Sequence, residues 1–264
     1  KVVILKRSFS NTERIDNYLK KIKSYDIDKV MLDKCFLENN IDAFIHCATD
    51  YGRKKIDPMQ IIDSNLIFPL KLMEIAINNN CEIFLNTDTI LDKRVNSYSL
   101  SKSQFLDWFK IYSEKAICIN IVLEHFYGPF DDKSKFVASI IKKLVNNESH
   151  INLTLGEQKR DFIYIDDVVD AFKIVLENIT NVKNGFYSYE IGTGKFISIK
   201  KIVTIIKELI GNSTTNLYFG AIPYRTSEIM EPKMDLIPIK KIGWKPMTKL
   251  VNGLKKTIES EIKK

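Results

Sequence analysis

The sequence predicts an α/β fold in which helices cover both faces of a doubly wound, parallel sheet. Short continuous apolar runs alternate with amphipathic stretches of helical period along the first 125 residues. A chain of 264 residues with 45% hydrophobic composition can also bury a large core. The second half alternates less regularly and ends in a stretch rich in proline and turns, which predicts a smaller C-terminal α/β lobe.

The elements follow from these patterns in chain order. Continuous apolar runs are typical of strands buried on both faces, and they predict strands at 2–5, 43–48, 83–85, 116–123, 151–155 and 187–191. Apolar residues recurring every three or four positions predict helices around Ile15, Leu19 and Ile22, from Asp57-Pro58 onward, and at 98–114, 136–145, 166–176, 199–210 and 250–262. Asp57-Pro58 is typical of a helix start, and Pro69 predicts a kink within that helix.

The net charge of +7 is spread along predicted helix faces rather than gathered in one patch. Such spreading is typical of solvated surface, and no basic stripe with interleaved aromatic residues indicates nucleic-acid binding. The sequence has no apolar run of about 18 residues, so no transmembrane helix is predicted. The positive charge fits an anionic small ligand such as a nucleotide.

The four cysteines are Cys35, Cys47, Cys81 and Cys118. Their spacing matches neither a metal-binding pattern nor a disulfide framework. Cys47 and Cys118 lie within apolar runs, where free thiols pack as small buried hydrophobic groups. The sequence therefore predicts free thiols, no metal site and a cytoplasmic protein.

Tyr98 and Lys102 are the strongest chemical signal in the chain. Because they lie four residues apart on a predicted helix, both side chains project from one face. A phenol has a pKa near 10, and a neighbouring ammonium favours the phenolate and lowers that pKa. Such a phenol can exchange a proton with a bound alcohol or ketone. Two unrelated helix residues would give the same spacing, so the pair needs support from its context.

Thr87 supplies part of that context because it follows the predicted strand 83–85. Residues that bind ligands in open α/β sheets lie at the carboxyl ends of strands. A hydroxyl at this position could donate to the same carbonyl oxygen that Tyr98 protonates. A turn or capping role is the alternative interpretation.

The order of these residues resembles that of the extended short-chain dehydrogenase/reductase family, which contains nucleotide-sugar epimerases, dehydratases and ketoreductases. Thr87, Tyr98 and Lys102 match the family's catalytic Ser/Thr, Tyr and Lys. The similarity extends over nearly the whole chain and includes Tyr25-Asp26-Ile27-Asp28, His46-Cys47-Ala48-Thr49, Asn65, Gly128-Pro129, the segment 158–167 and Gly243-Trp244-Lys245-Pro246. The resemblance implies a Rossmann-like sheet and a nicotinamide dinucleotide cofactor.

The resemblance also implies which residues bind that cofactor. Asp26 and Ile27 match the turn that contacts the adenine, and the strand carrying Cys47, Ala48 and Thr49 matches the one beside the nicotinamide. The remaining matches are Asn65 in the long central helix, and Tyr98 and Lys102, with Lys102 expected to hold the cofactor ribose.

The residues after Leu5 indicate which cofactor is preferred. Family members that prefer NAD usually carry an acidic residue there, which bonds the ribose 2′-hydroxyl. This chain has Lys6, Arg7 and Ser8, and two cations with a hydroxyl suit a 2′-phosphate. NADPH is therefore predicted over NAD, with an ordinary solvated charge run as the alternative.

Three features bear on the reaction and the substrate. Family dehydratases follow the catalytic Thr with Asp-Glu, whereas this chain has Thr87-Asp88-Thr89, so elimination of water is not expected. His125 stands at the Asn position that normally faces substrate, and together with the segment 220–225 it resembles the CDP-3,6-dideoxyhexose branch of the family. Arg160 and Arg225 match positions that hold the substrate diphosphate.

Each of these substrate residues has a simpler interpretation. Asp88 could cap a turn, and His125 could be a satisfied core histidine. Arg160 and Arg225 could form surface ion pairs, for instance with Asp161 or Glu228.

The resemblance predicts NADPH-dependent reduction of the 4-keto group of a nucleotide-linked deoxyhexose, with CDP as the expected nucleotide, in surface-polysaccharide sugar biosynthesis. An epimerase that retains NAD, and a non-catalytic dinucleotide-sensing or interaction protein on the same scaffold, are the alternatives. The expected partners are the nucleotide sugar and a second copy of the chain, joined through the helices that carry Asn65 and Tyr98. Neither nucleic acid nor a membrane is expected.

The dinucleotide-binding domain is predicted to comprise 1–125 and 160–193, and the nucleotide-sugar-binding lobe 126–159 and 194–264. All ten glycines lie at or after Gly52, whereas family members begin with a strand and a Gly-rich turn that binds pyrophosphate. The first βα unit of the fold is therefore expected to be missing from this sequence.

Overall fold

The structure is a computed structural model, and it describes residues 1–52, 57–179, 182–226 and 228–263. Its strands are β1 Val3–Lys6, β2 Lys23–Asp26, β3 Ala43–His46, β4 Ile83–Thr89, β5 Ile117–Leu123, β6 His125–Tyr127, β7 His150–Leu153, β8 Lys159–Tyr164, β9 Gly185–Ile191, β10 Phe196–Ser198 and β11 Asn216–Phe219. Its helices are α1 Asp16–Leu19, α2 Lys34–Leu37, α3 Pro58–Ile62, α4 Phe68–Asn78, α5 Ser97–Tyr112, α6 Phe136–Val145, α7 Ile165–Glu177, α8 Ile199–Ile210, α9 Ile237–Lys241 and α10 Leu250–Ile262.

The chain divides into two compact units. Unit 1 comprises Lys1–Asn120 and Val182–Tyr187, and unit 2 comprises Ile121–Asn181 and Ser188–Lys264. The structural boundary thus assigns 121–125, 160–181 and 188–193 to unit 2, whereas these segments are predicted to belong to the dinucleotide-binding domain. The assignment of segments by ligand stays a prediction.

Unit 1 is built on parallel strand pairs, as predicted. β1 pairs with β2, and β3 pairs with β4 in a four-stranded sheet of order β3-β4-β5-β9. Helices α4 and α5 each bury one face in a shared hydrophobic core, which also contains three of the four cysteines. The core includes Leu72, Met73, Ala76, Phe84, Phe105, Phe109, Cys35, Cys81 and Cys118. The predicted α/β fold is therefore confirmed.

Two predictions for unit 1 need correction. The amphipathic run through Ile15, Leu19 and Ile22 forms only the single turn α1, which buries no residue, because β2 begins directly afterwards at Lys23. Cys47 is exposed rather than packed in the core, because β3 ends one residue earlier, at His46. The other three cysteines are buried and free.

The long helix predicted from Asp57-Pro58 begins where expected but is not regular. The Asp57 carboxylate caps α3 by accepting a hydrogen bond from the Met59 backbone N–H at 3.0 Å. A π-helical turn at Asp63–Ile67 then separates α3 from α4. Pro69 has no N–H to complete an α-helical bond, and the widened turn directly precedes it. The structure thus shows a π-helical turn, which carries Asn65, next to the position of the kink predicted at Pro69.

Unit 2 contains two small sheets and its own core. β7 pairs with β11 in parallel, while β8 lies between β6, which is parallel to it, and β10, which is antiparallel. Helices α6, α8 and α10 pack together around buried side chains that include Ile141, Leu144, Ile202, Ile206 and Leu254.

Asp167, at the start of α7, anchors the C-terminal segment of unit 2. Its two carboxylate oxygens accept the backbone N–H groups of Met247 and Thr248, each at 3.0 Å, and its backbone carbonyl accepts the indole N–H of Trp244 at 3.1 Å. Charge-assisted bonds of this kind are among the stronger ones in proteins. Asp167 therefore has a structural role, since it is buried among its partners.

Within the described ranges, no helix is long and apolar enough to cross a membrane. The same ranges hold no group of three or more His, Cys, Asp or Glu side chains placed to bind a metal ion.

Candidate active site

Helix α5 presents Tyr98 and Lys102 from a well-defined first turn. The Asn96 side chain accepts a hydrogen bond from the Ser99 backbone N–H at 2.9 Å, and the Ser99 hydroxyl bonds the Asn96 backbone in return. This reciprocal capping box fixes the start of the helix. Because Tyr98 lies within that turn and Lys102 one turn later, the cap sets the direction of both side chains.

The Tyr98 ring is half-buried and packs against an aromatic neighbour that sequence reasoning missed. The Tyr51 ring lies 5.0 Å from it, centroid to centroid, at an interplanar angle of 42°. Such a tilted contact helps to hold the phenol ring in place. Tyr51 lies two residues after the predicted cofactor segment 47–49 and directly before Gly52, a position that no motif singled out.

Lys102 is buried, with only 2% of the residue exposed. Its ammonium Nζ lies 3.4 Å from the Asn86 side-chain oxygen on β4. Burial lowers the pKa of the Lys102 ammonium, because desolvation disfavours the charged form, while the nearby Asp88 carboxylate and Cys47 act in the opposite direction. The sequence therefore locates the cation correctly on the helix, but its burial is a structural finding.

The Thr87 hydroxyl is engaged within the protein. It donates to the His46 backbone carbonyl at 3.0 Å and so ties β4 to β3. To donate to a bound ketone, the hydroxyl would have to turn away from that carbonyl. Its predicted catalytic role stays a prediction, and the structural linking role is observed.

Asn65 uses its whole hydrogen-bonding capacity to hold the loop after β3. Its side-chain oxygen accepts the Asp50 N–H at 2.8 Å and the Thr49 hydroxyl at 3.2 Å. Its amide nitrogen donates to the Asp50 carbonyl at 2.8 Å and to the Ser101 hydroxyl at 3.0 Å. Since an amide offers two donors and two acceptor lone pairs, none is left over for a ligand. Asn65 therefore ties residues 49–50 to Ser101 of α5, and its role in cofactor binding stays a prediction.

The predicted adenosine end of the cofactor site gathers at the ends of β1 and β2. The Ser8 hydroxyl donates to Asp26 at 2.7 Å, and the Lys6 ammonium lies 3.9 Å from the same carboxylate. The bond from Ser8 is the main cause that lowers the pKa of Asp26. The Ile27 N–H donates to the Lys6 carbonyl at 2.9 Å. These residues are brought together as the resemblance implies.

Asp28 also lies beside Arg7 and Ser8, although no separate role is predicted for it. Its carboxylate accepts the Arg7 guanidinium at 2.7 Å and the Ser8 backbone N–H at 2.8 Å. The 2′-phosphate of NADPH would therefore bind Arg7 either together with Asp28 or in its place. The free 2′-hydroxyl of NAD could instead donate a hydrogen bond to the Asp28 carboxylate. The Arg7 side chain is about half exposed and that of Asp28 about a third, so the ion pair between them is weak and can give way to a bound phosphate.

Three of the four predicted substrate residues, His125, Arg160 and Arg225, lie in unit 2. The His125 side chain is 32% exposed, and its ring lies 5.7 Å from that of Phe162, its neighbour across β6 and β8, at an interplanar angle of 58°. Glu124, which no motif indicated, lies beneath it with a buried carboxylate 3.5 Å from the His125 Nδ1.

Arg160 is paired with Glu228, as in the alternative interpretation of this residue as part of a surface ion pair. Its guanidinium bonds Glu228 and donates to the carbonyls of Lys159 at 2.5 Å and Ile229 at 2.6 Å. Asp161 instead accepts the Thr193 hydroxyl at 2.5 Å and the Gly194 N–H at 2.6 Å. Arg225 is exposed on its turn, and Asp88 is buried in unit 1.

Comparison with known proteins identifies a family model and a relative that match most of this chain. The profile of the NAD dependent epimerase/dehydratase family matches residues 1–192. The CDP-abequose synthase of Salmonella muenchen is 35% identical over 266 residues, which cover 97% of this chain and 88% of that protein.

Solved structures of two epimerases share the fold. UDP-glucose 4-epimerase from Thermotoga maritima, solved with UDP-glucose, superposes with a TM-score of 0.83 at 22% identity, covering 99% of this chain and 91% of that one. UDP-glucose 4-epimerase from Thermus thermophilus, solved with NAD, gives a TM-score of 0.80 at 17% identity, covering 98% and 90%.

Proposed function

Since the chain belongs to the NAD dependent epimerase/dehydratase family, we propose that it reduces the 4-keto group of a nucleotide-linked deoxyhexose with NADPH. The chain is an enzyme of the short-chain dehydrogenase/reductase type. CDP is the proposed nucleotide, because the Salmonella muenchen relative is a CDP-abequose synthase. The synthesis of surface-polysaccharide sugars is the proposed setting. The single observation that carries the chemistry is Tyr98 on a capped helix turn, one turn from the buried ammonium of Lys102.

The donor set of unit 1 fits a nicotinamide dinucleotide. Lys6, Arg7 and Ser8 offer cationic and hydroxyl donors for phosphate oxygens, while Asp26 and Asp28 offer acceptors for ribose hydroxyls. The loop 47–50, held by Asn65, would lie along the nicotinamide half. When bound, the reduced cofactor supplies a hydride to the sugar carbonyl carbon.

The residues of this chain would supply the proton for the sugar oxygen and the positive charge that stabilises the group losing that proton. Tyr98 would donate its phenolic proton to the carbonyl oxygen as negative charge develops there. Lys102 would stabilise the phenolate left behind, because its ammonium is held in a site of low dielectric where charge interactions are strong. Thr87 would orient the same oxygen once its hydroxyl leaves the His46 carbonyl. Asp88 and His125 would contact the sugar, and Arg160 and Arg225 the diphosphate.

Net consumption of the cofactor tests this function. Purified enzyme incubated with a CDP-linked 4-keto-deoxyhexose and NADPH is expected to oxidise one NADPH for each sugar reduced. The absorbance of the reduced nicotinamide and the NMR spectrum of the sugar product report the two quantities. Absence of NADPH oxidation with a substrate that the enzyme binds would contradict reduction.

The epimerase alternative is favoured by one observation. The carboxylates of Asp26 and Asp28 face the same backbone turn as Lys6 and Arg7, and carboxylates suit the free ribose hydroxyl of NAD. An epimerase would retain NAD through purification and convert a sugar to its epimer without net oxidation. Denaturing the purified protein and identifying the released dinucleotide separates the two functions.

Replacing Arg7 by Ala tests the preference for NADPH. We expect the KM for NADPH to rise about tenfold, equivalent to about 1.4 kcal/mol, because a charge-assisted bond to the 2′-phosphate is lost. The KM for NADH should change little. Arg14→Ala, at an exposed position of the same unit, is the matched control. An equal rise in KM for NADPH and NADH would show that Arg7 does not bind the 2′-phosphate selectively.

We also propose that the enzyme is a homodimer. Leu100, Trp108 and Ile111 share one face of α5 and are 44%, 48% and 61% exposed. A second copy of the chain would cover this apolar face. Light scattering on the purified enzyme is expected to give twice the chain mass, and Trp108→Glu should reduce it to a monomer. A wild-type monomer at micromolar concentration would contradict the proposal.

We propose that the enzyme works in the reducing cytoplasm, because all four cysteines are free, three of them buried. Unchanged mobility of the isolated protein with and without reductant is the expected result. Disulfide-linked chains would argue against this compartment.

A further inference from the structure

A continuous hydrogen-bonded chain of buried polar side chains runs from α5 across β4 to β5 in unit 1. The Lys102 ammonium donates to the Asn86 side-chain oxygen at 3.4 Å, and the Asn86 amide nitrogen donates to the Asn120 side-chain oxygen at 2.8 Å. The Asn120 amide nitrogen then donates to the Asp88 carboxylate at 2.9 Å. All four residues are buried, and two of them, Asn86 and Asn120, have no part in the reaction described above.

The chemistry of the two ends fixes the direction of both amides. An ammonium can only donate, so Asn86 must turn its oxygen to Lys102. A carboxylate can only accept, so Asn120 must turn its nitrogen to Asp88. The link between the two amides is then satisfied in only one direction. Each dipole therefore points its negative end toward the cation and its positive end toward the anion, and the bonds strengthen one another.

We propose that Asn86 and Asn120 are positioning residues. They hold the ammonium of Lys102, one helix turn after Tyr98, and link it through hydrogen bonds to the carboxylate of Asp88. The effect on turnover rests on the proposed function, whereas the coupling itself does not. Asp88 gains a second role from this arrangement, as the anion that compensates a buried cation.

The other groups that face Lys102 do not replace Asp88 in this role. His46, from β3, is buried, and burial together with repulsion by Lys102 lowers its pKa to about 3, so its ring is neutral near pH 7. Although Cys47 is exposed as a residue, the protein around its thiol desolvates it and raises the thiol pKa above the ordinary value for cysteine, so Cys47 supplies no negative charge near pH 7. Tyr98 lies one turn earlier on the same helix and holds the proton to be transferred. Asp88 is thus the carboxylate that acts on Lys102 within the described residues.

Two substitutions break the coupling at different points. Asp88→Asn removes the charge but keeps an oxygen that can accept the Asn120 amide. Asn120→Leu keeps the charge and the bond between Asn86 and Lys102 but interrupts the chain. Asn212→Leu is the matched control, because Asn212 is a buried asparagine of unit 2 whose amide bonds the Leu144 carbonyl and the Thr215 hydroxyl.

The pKa of Lys102, followed by NMR of the enzyme labelled with carbon-13 lysine, is the deciding measurement. The signal is assigned by its absence in Lys102→Met. Both Asp88→Asn and Asn120→Leu should lower the Lys102 pKa below its wild-type value, and Asn212→Leu should leave it unchanged. If the enzyme is active, the alkaline limb of kcat should move to lower pH in the same two variants, and Asn120→Leu should alter kcat rather than KM.

An unchanged Lys102 pKa in folded Asp88→Asn would overturn the coupling, whatever the activity. If Asn120→Leu does not fold, Asp88→Asn still decides the question. If the NMR shift is found but no 4-keto sugar is reduced, the coupling stands and the proposed function fails.

Discussion

Replacing Tyr98 by Phe is expected to lower kcat by about 10³-fold, because a positioned general acid contributes between about 10² and 10⁴ to a rate. The ring is retained, so its packing against Tyr51 at 5.0 Å and the start of α5 should be unchanged. NADPH binding should therefore stay close to that of the wild type. Single-turnover rates and cofactor titration by fluorescence measure the two quantities separately.

Tyr112→Phe is the matched control for this substitution. Tyr112 ends the same helix, and its hydroxyl bonds the Glu74 carboxylate away from the proposed site. Loss of that exposed bond should leave kcat unaltered. Full activity of Tyr98→Phe would remove Tyr98 from the mechanism and with it the proposed reaction.

Replacing Lys102 by Met is expected to lower kcat by at least about 10²-fold, through loss of the charge that stabilises the phenolate form of Tyr98. Met fills most of the buried volume, so the fold should survive. The Asn86 side-chain oxygen loses its donor, which leaves a buried acceptor unpaired and costs about 1–3 kcal/mol. Lys110→Met, at an exposed position of the same helix, is the control. Wild-type kcat in folded Lys102→Met would contradict the role.

The pH dependence of kcat follows from the burial of Lys102. Burial lowers the pKa of this ammonium below the ordinary value for lysine. The charged form is therefore present at low pH and is lost as the pH rises through that lowered pKa. We expect kcat to fall on the alkaline side at a lower pH than an exposed lysine would give. In Lys102→Met this lysine-dependent fall should be missing, and kcat should be limited at high pH only by loss of the Tyr98 proton.

Much of the local structure could be predicted from residues close in sequence. The apolar runs predict the buried strands β4 and β5, and the three-to-four spacing predicts α6, α8 and α10 with correct or nearly correct ends. Tyr98 and Lys102 can be located on one helix face from their spacing alone, because that geometry is set by the helix period.

The side-chain partners could not be predicted in the same way. The chain from Lys102 to Asp88 joins residues up to 34 positions apart, and the Arg160–Glu228 pair joins residues 68 apart. Such contacts depend on how strands and helices pack, which leaves no periodic trace in the sequence. The saturated amide of Asn65 and the bond from Thr87 to the His46 carbonyl are likewise visible only in three dimensions.

The most direct test of the proposed reaction follows the hydride itself. Enzyme is supplied with a CDP-linked 4-keto-deoxyhexose and NADPH carrying deuterium at the transferable position of the nicotinamide, and the product sugar is analysed by mass spectrometry and NMR. Reduction predicts one deuterium at C4 of the sugar in every product molecule. A product without deuterium, or an epimer formed while the labelled NADPH stays intact, would contradict it.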